Sequence, residues 1–385
     1  MEHIIIIGGG GTGGALAHDL TLRGFKVTLL EKGEPLSGTT GRHHGLLHSG
    51  ARYVTHDPEA AKKCIQENRI LRRIAPQALE QNDGLFVALT DADMAYRSSF
   101  LKGCRACDIP AAELPVTKAL SIEPALNPDI KTAVQVPDAT MDAWRLPMHF
   151  LATAKSNGAD IRPFSEVIEI YHTAGAVSGV RVFDYARHRE YDLGGDLIIN
   201  SGGPWAGKIA ALCGLDLPVQ PGPGVMVSIA ERVTNMVINR LHPAGDGDII
   251  VPQRRLTVLG TSVWLEEEPD AVTMPSDHAE MIIMLCAKLV PVVKEVPVHS
   301  VWSASRPLIA DGAAENPQVI SRTFGCYDHG KIDNLEGFLS VIGGKATTQR
   351  AMAEKTADLI CRKTGRDISC RTCDTKLLHY RLFYK

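Results

Sequence analysis

The residues with the clearest chemical use stand near the start of the chain. Gly8-Gly9-Gly10-Gly11-Thr12-Gly13 puts Gly8, Gly10 and Gly13 at the three fixed positions of G-x-G-x-x-G. That spacing suits a dinucleotide. The first glycine permits a tight turn, the second lets a pyrophosphate approach bare backbone, and the third lets a helix pack against a strand. The helix start adds amide donors and the positive end of its dipole. Glu31 closes the next apolar run, where a carboxylate can accept hydrogen bonds from a ribose diol. The motif alone suits FAD and NAD equally.

A second polar tract follows: Ser37-Gly38-Thr39-Thr40-Gly41-Arg42-His43-His44-Gly45-Leu46-Leu47-His48-Ser49-Gly50-Ala51-Arg52-Tyr53. It is too rich in Gly, Ser, Thr, His and Arg to form core, and its hydroxyl and basic groups suit a ligand.

The elements that must hold these residues are legible around them. Ile4-Ile5-Ile6-Ile7 reads as a strand buried on both faces, 14–23 as a helix stopped by Gly24, and 25–30 as a second strand. Asp57-Pro58 is a helix start, with Ala61, Cys64, Asn68, Leu71 and Ala75 at helical spacing up to Pro76. Residues 85–89 read as a strand, while 166–171, 177–183 and 190–192 read as an antiparallel meander. Further strands are expected at 196–200, 224–229, 249–252 and 256–260, and a helix at 277–290.

The chain has 385 residues, 44% hydrophobic and 22% charged, which is globular and long enough for two or three domains. A net charge of −3 leaves no basic footprint for nucleic acid. The longest nearly apolar run, 4–17, is too short and too glycine-rich to span a membrane, and it lacks the basic leader of a signal peptide. A cytoplasmic protein with nine reduced cysteines is expected.

The polar tract carries a resemblance. Gly41 to Tyr53, Asn68 with Leu71, and Asn200-Ser201-Gly202-Gly203-Pro204-Trp205 resemble the FAD-dependent glycerol-3-phosphate dehydrogenases. So do Gly260-Thr261, Arg306-Pro307-Leu308 and Gly343-Gly344-Lys345-Ala346-Thr347-Thr348. Within that family the chain is most similar to the catalytic polypeptide of the anaerobic enzymes, which sit in the larger D-amino-acid oxidase-like flavoprotein group. The similarity runs from about residue 3 to 370, with motifs in family order. Three positions depart from the pattern: Gln349 where a tyrosine is usual, Ser305 where valine is common, and the His43-His44 pair where asparagine is usual for the first. The residues themselves agree on the cofactor. Two later glycine doublets, one after the strand at 196–200 and one at Gly343-Gly344, return to the nucleotide fold. The helix start near Gly344 offers donors where flavin reduction builds negative charge. These features fit FAD.

The resemblance implies an α/β chain with a discontinuous Rossmann-like FAD domain (1–80, 135–215 and 335–370). A mostly antiparallel α+β substrate domain (81–134 and 216–334) is inserted into it, and a tail follows (371–385). FAD would be held by Gly8, Gly10, Thr12, Gly13 and Glu31, then by Thr40, Arg42, His44, Gly45 and Leu46. Gly202, Gly203 and Trp205 would join them, with Gly343, Gly344, Lys345, Ala346 and Thr347. The implied reaction oxidises glycerol 3-phosphate to dihydroxyacetone phosphate, its hydride passing from C2 to flavin N5. Arg52, Tyr53, Thr261, Arg306 and Lys345 would bind the substrate. His48 is the candidate base, since its ordinary pKa of about 6.5 suits neutral pH. His43 or His44 would equally orient the flavin or pack structurally.

A flavin enzyme for a 2-hydroxy acid or amino acid is the alternative, and a non-catalytic flavin-binding protein is a further one. The implied electron acceptor is a quinone or partner electron-transfer subunit outside this polypeptide, with membrane association through that partner. Cys104-x-x-Cys107 and Cys370-x-x-Cys373 have ligand-like spacing, but neither completes the four ligands that zinc or an iron–sulfur cluster wants, and no metal is expected.

Overall fold

The computed structural model describes residues 2–243, 245, 247–270, 272–309 and 323–385. β1 (His3–Ile7) lies in the middle of a six-stranded sheet. It pairs in parallel with β2 (Lys26–Leu30) on one side and with Leu197–Asn200 on the other. Phe338–Gly343 and Asp160–Arg162 continue the parallel order outward, and Phe324–Asp328 closes one edge antiparallel. Ile4, Ile5 and Ile6 are fully buried, as strands covered on both faces must be.

The helix α1 (Gly11–Leu22) leaves the C-terminal end of β1 and packs against the helices Arg145–Ser156 and Gln349–Lys363. On the other face lies the meander Ser165–Thr173, Ala176–Asp184, Arg189–Gly194. The expected helix after Asp57 spans Pro58–Ile74, its Asp57 side chain accepting from the Ala60 amide.

A second, eight-stranded sheet contains Gly84–Ala88, Ala112–Leu114, Thr132–Val136, Val219–Ile229, Val237–Arg240, Ile249–Gln253, Leu256–Gly260 and Val298–Ile309. It is antiparallel except where Val237–Arg240 runs beside Gly84–Ala88. The helix His278–Leu289 covers it, close to the expected 277–290. Four of its strands escape the sequence reading: Ala112–Leu114, Thr132–Val136, Val237–Arg240 and Val298–Ile309. Val298–Ile309 mixes polar residues and carries Pro307, and Val237–Arg240 has only four residues.

Residues after the last long helix strap the back of the first sheet's helices. Leu377 N–H donates to Ile74 O (2.9 Å) and Leu378 N–H to Thr153 Oγ1 (2.9 Å). Beneath the strap, Arg350 meets Glu67 and Thr372, and Arg23 meets Asp19 (2.7 Å) and Asp358 (2.7 Å). Both guanidinium groups are buried, and such pairs are costly to break one-sidedly because a lone charge stays behind. Cys370 joins this cluster through Thr372 and Asp19, its thiol pushed up to about 11 by burial. Cys104 lies in the last turn of the helix Asp91–Ala106, where burial raises it to about 12. Among the described residues no three His, Cys, Asp or Glu side chains gather as a metal site, and no helix is long and apolar enough to cross a membrane.

His18 is the sharpest electrostatic cost in this layer. It is fully buried on α1, edge-on to Phe150 (5.9 Å), and neither ring nitrogen has a partner among the described residues. Burial pulls its pKa down from 6.5 to about 4. The unfolded chain therefore takes up a proton below pH 6.5 that the folded chain refuses until about pH 4, so stability falls as pH drops through that window. Between pH 7 and 5 the loss is about 2 kcal/mol. His18→Leu is expected to remove that share of the acid sensitivity; equal shifts of the urea midpoint in variant and parent would contradict it.

Candidate active site

Local backbone chemistry builds one end of a cavity of about 1000 Å³. β1 ends at Gly8, which sits at φ +107° with its amide bonded to Leu30 O (2.8 Å). A Cβ there would lie 2.7 Å from Ser201 O, and one on Gly13 would lie 2.0 Å from Gly8 O. Ser201 ties the second glycine turn to the first, its hydroxyl donating to Ile7 O (2.9 Å) and Gly8 O (3.1 Å). Strand, turn, helix and neighbouring strand thus meet at van der Waals limits, which glycine alone permits. This is a cradle that fits the diphosphate of a dinucleotide.

Glu31 closes the turn. Its carboxylate accepts from Gly9 N–H (2.7 Å) and Gly33 N–H (2.8 Å), fixing it at the cavity edge where a ribose would lie. Beyond it are Lys32, Glu166 and Trp205, whose indole donates to Asp270 (2.7 Å) while Lys208 reaches the same carboxylate (2.8 Å). Sequence reasoning found Trp205 but missed Lys32, Glu166, Lys208 and Asp270. Isolated surface charges carry no local signal, and Asp270 arrives from a segment far along the chain.

The other end of the cavity holds the reactive side chains. His48 is buried, held by its backbone: its N–H donates to Thr347 Oγ1 (3.1 Å) and its carbonyl accepts from Asn68 (3.3 Å). Its ring lies 5.4 Å from Tyr53 and edge-on to His44 (5.9 Å). Lys345 places its ammonium 4.3 Å from the Tyr53 ring centre, a cation–π contact. Tyr53 therefore links His48 to Lys345. His43 and His44 each accept a backbone N–H on Nδ1, from Gly45 (2.9 Å) and Leu46 (3.0 Å), which favours the neutral ring protonated at Nε2. Burial lowers the His43 pKa to about 4.

The two arginines are anchored differently. Arg306, on Val298–Ile309, donates to Thr261 Oγ1 (2.6 Å) and to the carbonyls of Gly222 (3.2 Å) and Ser262 (3.2 Å). Arg52 instead meets Asp248 (2.7 Å) and the Gly245 carbonyl, and Asp248 also binds His242. Arg52 and His242 together hold the Asp248 carboxyl below its ordinary value against its burial.

The cavity collects nearly every residue expected of it. Gly8, Gly10, Thr12, Glu31, Thr40, Arg42, His44, Leu46 and His48 line it, as do Arg52, Tyr53, Gly202, Gly203, Trp205 and Thr261. Arg306, Gly343, Gly344, Lys345, Ala346 and Thr347 complete the set. Gly13 and Gly45 stand behind the wall. Gly13 packs on Gly8, and Gly45 abuts Gln253 and Met141. One cavity thus joins a nucleotide cradle to a cluster of histidine, tyrosine, lysine and arginine, and its residues fit FAD.

Comparison with known proteins agrees. The family model described as FAD dependent oxidoreductase matches residues 3–358. The A1 polypeptide of the anaerobic glycerol-3-phosphate dehydrogenase of Haloferax volcanii is 41% identical over 97% of this chain and 66% of its own length. The corresponding polypeptide from Escherichia coli is 37% identical over 97% of this chain and 69% of its own. The chain thus spans about two-thirds of the length of these relatives. Among solved structures, the glycerol-3-phosphate dehydrogenase from Bacillus halodurans complexed with FAD matches with TM-score 0.74 at 21% identity, covering 98% of this chain and 68% of that one. Glycine oxidase from Geobacillus kaustophilus matches with TM-score 0.75 at 20% identity, covering 98% and 99%.

Gly13→Ala is expected to weaken FAD binding at least tenfold, since its methyl would force the Gly8 carbonyl out of the turn. Flavin fluorescence titration measures this, and parental affinity would contradict the close-packing account.

Proposed function

We propose that this chain, which belongs to the FAD-dependent oxidoreductase family and to the group of the anaerobic glycerol-3-phosphate dehydrogenases, oxidises sn-glycerol 3-phosphate to dihydroxyacetone phosphate. The observation that carries this reading is the grouping of His48, Tyr53, Lys345, Thr261 and Arg306 at one end of the cavity whose other end is the dinucleotide cradle. FAD, when bound, supplies the acceptor for the hydride that leaves C2.

The chain's own groups do the rest. Arg306 and Lys345 supply the positive charge that holds the phosphate, Arg306 oriented by Thr261 and the carbonyls behind it. Arg52, tied to Asp248, stiffens the same wall and adds its positive charge to it. Tyr53 spaces Lys345 from His48, so that a short phosphorylated polyol held at one end presents its secondary hydroxyl to the imidazole at the other. His48 takes that hydroxyl proton as C2 becomes a carbonyl. Its burial keeps bulk water from competing for the proton.

The relatives' designation as one lettered component of their enzymes supports passage of the electrons to a partner subunit or a quinone. A cytoplasmic enzyme working at the inner face of the cell membrane through that partner follows from the same reading.

Anaerobic mixing with glycerol 3-phosphate is expected to bleach the oxidised flavin. Bleaching by lactate or an amino acid instead would move the substrate to another small anion, and no bleaching by any of them would support a non-catalytic flavin-binding role. A hydrogen bond to a charged group contributes about 1.5–3 kcal/mol. Arg306→Ala should therefore raise the substrate KM at least tenfold with FAD still bound, and an unchanged KM would overturn its assignment.

A further inference from the structure

The first amides of α1 lie before any intrahelical acceptor and must be met from outside. Gly10 caps the helix without a side chain, Gly14 N–H makes the first bond back to Gly10 O (2.9 Å), and no acidic residue stands in the first turn. Gly11 N–H is already taken by Thr40 Oγ1 (3.0 Å). Thr12, which lines the cavity, is left to serve whatever occupies the cradle.

Across from this turn stands Gln349, the first residue of the helix Gln349–Lys363. Only 3% of it is exposed, and what is exposed lines the cavity. It presses so closely on α1 that a Cβ on Gly11 would lie 2.1 Å from its Oε1. Yet its carboxamide makes no hydrogen bond to any described residue. An amide offers two donors and an acceptor, and a side chain this deeply buried normally has them met. Here two long helices, Gly11–Leu22 and Gln349–Lys363, start at the same spot, and both positive ends favour negative charge between them.

We propose that Gln349 is a binding residue for the diphosphate bridge of FAD, its carboxamide donating to a phosphate oxygen held at the start of α1. Its place against Gly11 and Thr40 selects the diphosphate. The ribose end is marked by Glu31, and the reacting end by His48 and Lys345. The assignment rests on FAD binding and is independent of which substrate is oxidised.

Two variants separate a donor from a filler. Gln349→Leu keeps the volume and removes the donor; Gln349→Glu keeps the shape and sets a carboxylate against the anion. The full chain is titrated with FAD by flavin fluorescence, alone and against ADP as competitor, with the thermal midpoint of each FAD-free variant checked. Gln349→Leu is expected to weaken FAD and ADP alike, by about tenfold for one lost hydrogen bond to a charged group. Gln349→Glu is expected to weaken both further. Unchanged FAD affinity in Gln349→Leu, or a Gln349→Glu no weaker than Gln349→Leu, would overturn the proposal. Loss of FAD affinity with ADP unaffected would also overturn it, moving the amide to the flavin side.

Discussion

A doubly charged diphosphate can be buried against a protein only where backbone amides reach it before side chains do. Everything in the first sheet follows from that requirement. Three chain segments must meet at one point without methyl groups between them: the end of β1, the start of α1 and the turn after Leu197–Asn200. Gly13 lies against the Gly8 carbonyl and Gly8 against the Ser201 carbonyl, so each tight contact fixes the next. The parallel pairing of Ile7 with Asn200 and with Leu30 sets the level at which the turns emerge, and the fully buried isoleucines hold that level. Movement of any one strand would open the cradle.

The opposite end of the cavity obeys electrostatics. Cations meant for an anion must be held rigidly, yet their anchors must not consume their charge. Arg306 is oriented by the Thr261 hydroxyl and by backbone carbonyls. Arg52 is paired with Asp248, so part of its charge goes to holding the wall. Lys345 rests on the Tyr53 ring, whose face attracts an ammonium. The three cations are thus positioned by different kinds of group: a carboxylate, a hydroxyl with carbonyls, and an aromatic face.

Burial of charge recurs away from the cavity. Arg350 with Glu67 and Arg23 with Asp19 sit beneath the C-terminal strap, each satisfied by several acceptors. The strap reads only as a tail in sequence, and it is held by bonds to Ile74 O and Thr153 Oγ1 and by Leu377 packing into the core.

The sequence by itself determined the nucleotide half of the site. A glycine fingerprint between a β-branched run and a helix is a local pattern, because turn, strand and helix start are all written within about thirty consecutive residues. The polar tract to Tyr53 and the later glycine doublets were legible for the same reason, as was the helix after Asp57-Pro58. Only the tertiary structure decided what surrounds each charge. That Arg52 faces Asp248, that Asp270 crosses to Trp205 and Lys208, and that Gln349 presses on Gly11 are contacts between residues far apart along the chain. Side-chain partnership across a fold depends on sheet order and register. A strand such as Val298–Ile309, with its mixed polarity and its proline, announces neither before the chain is folded.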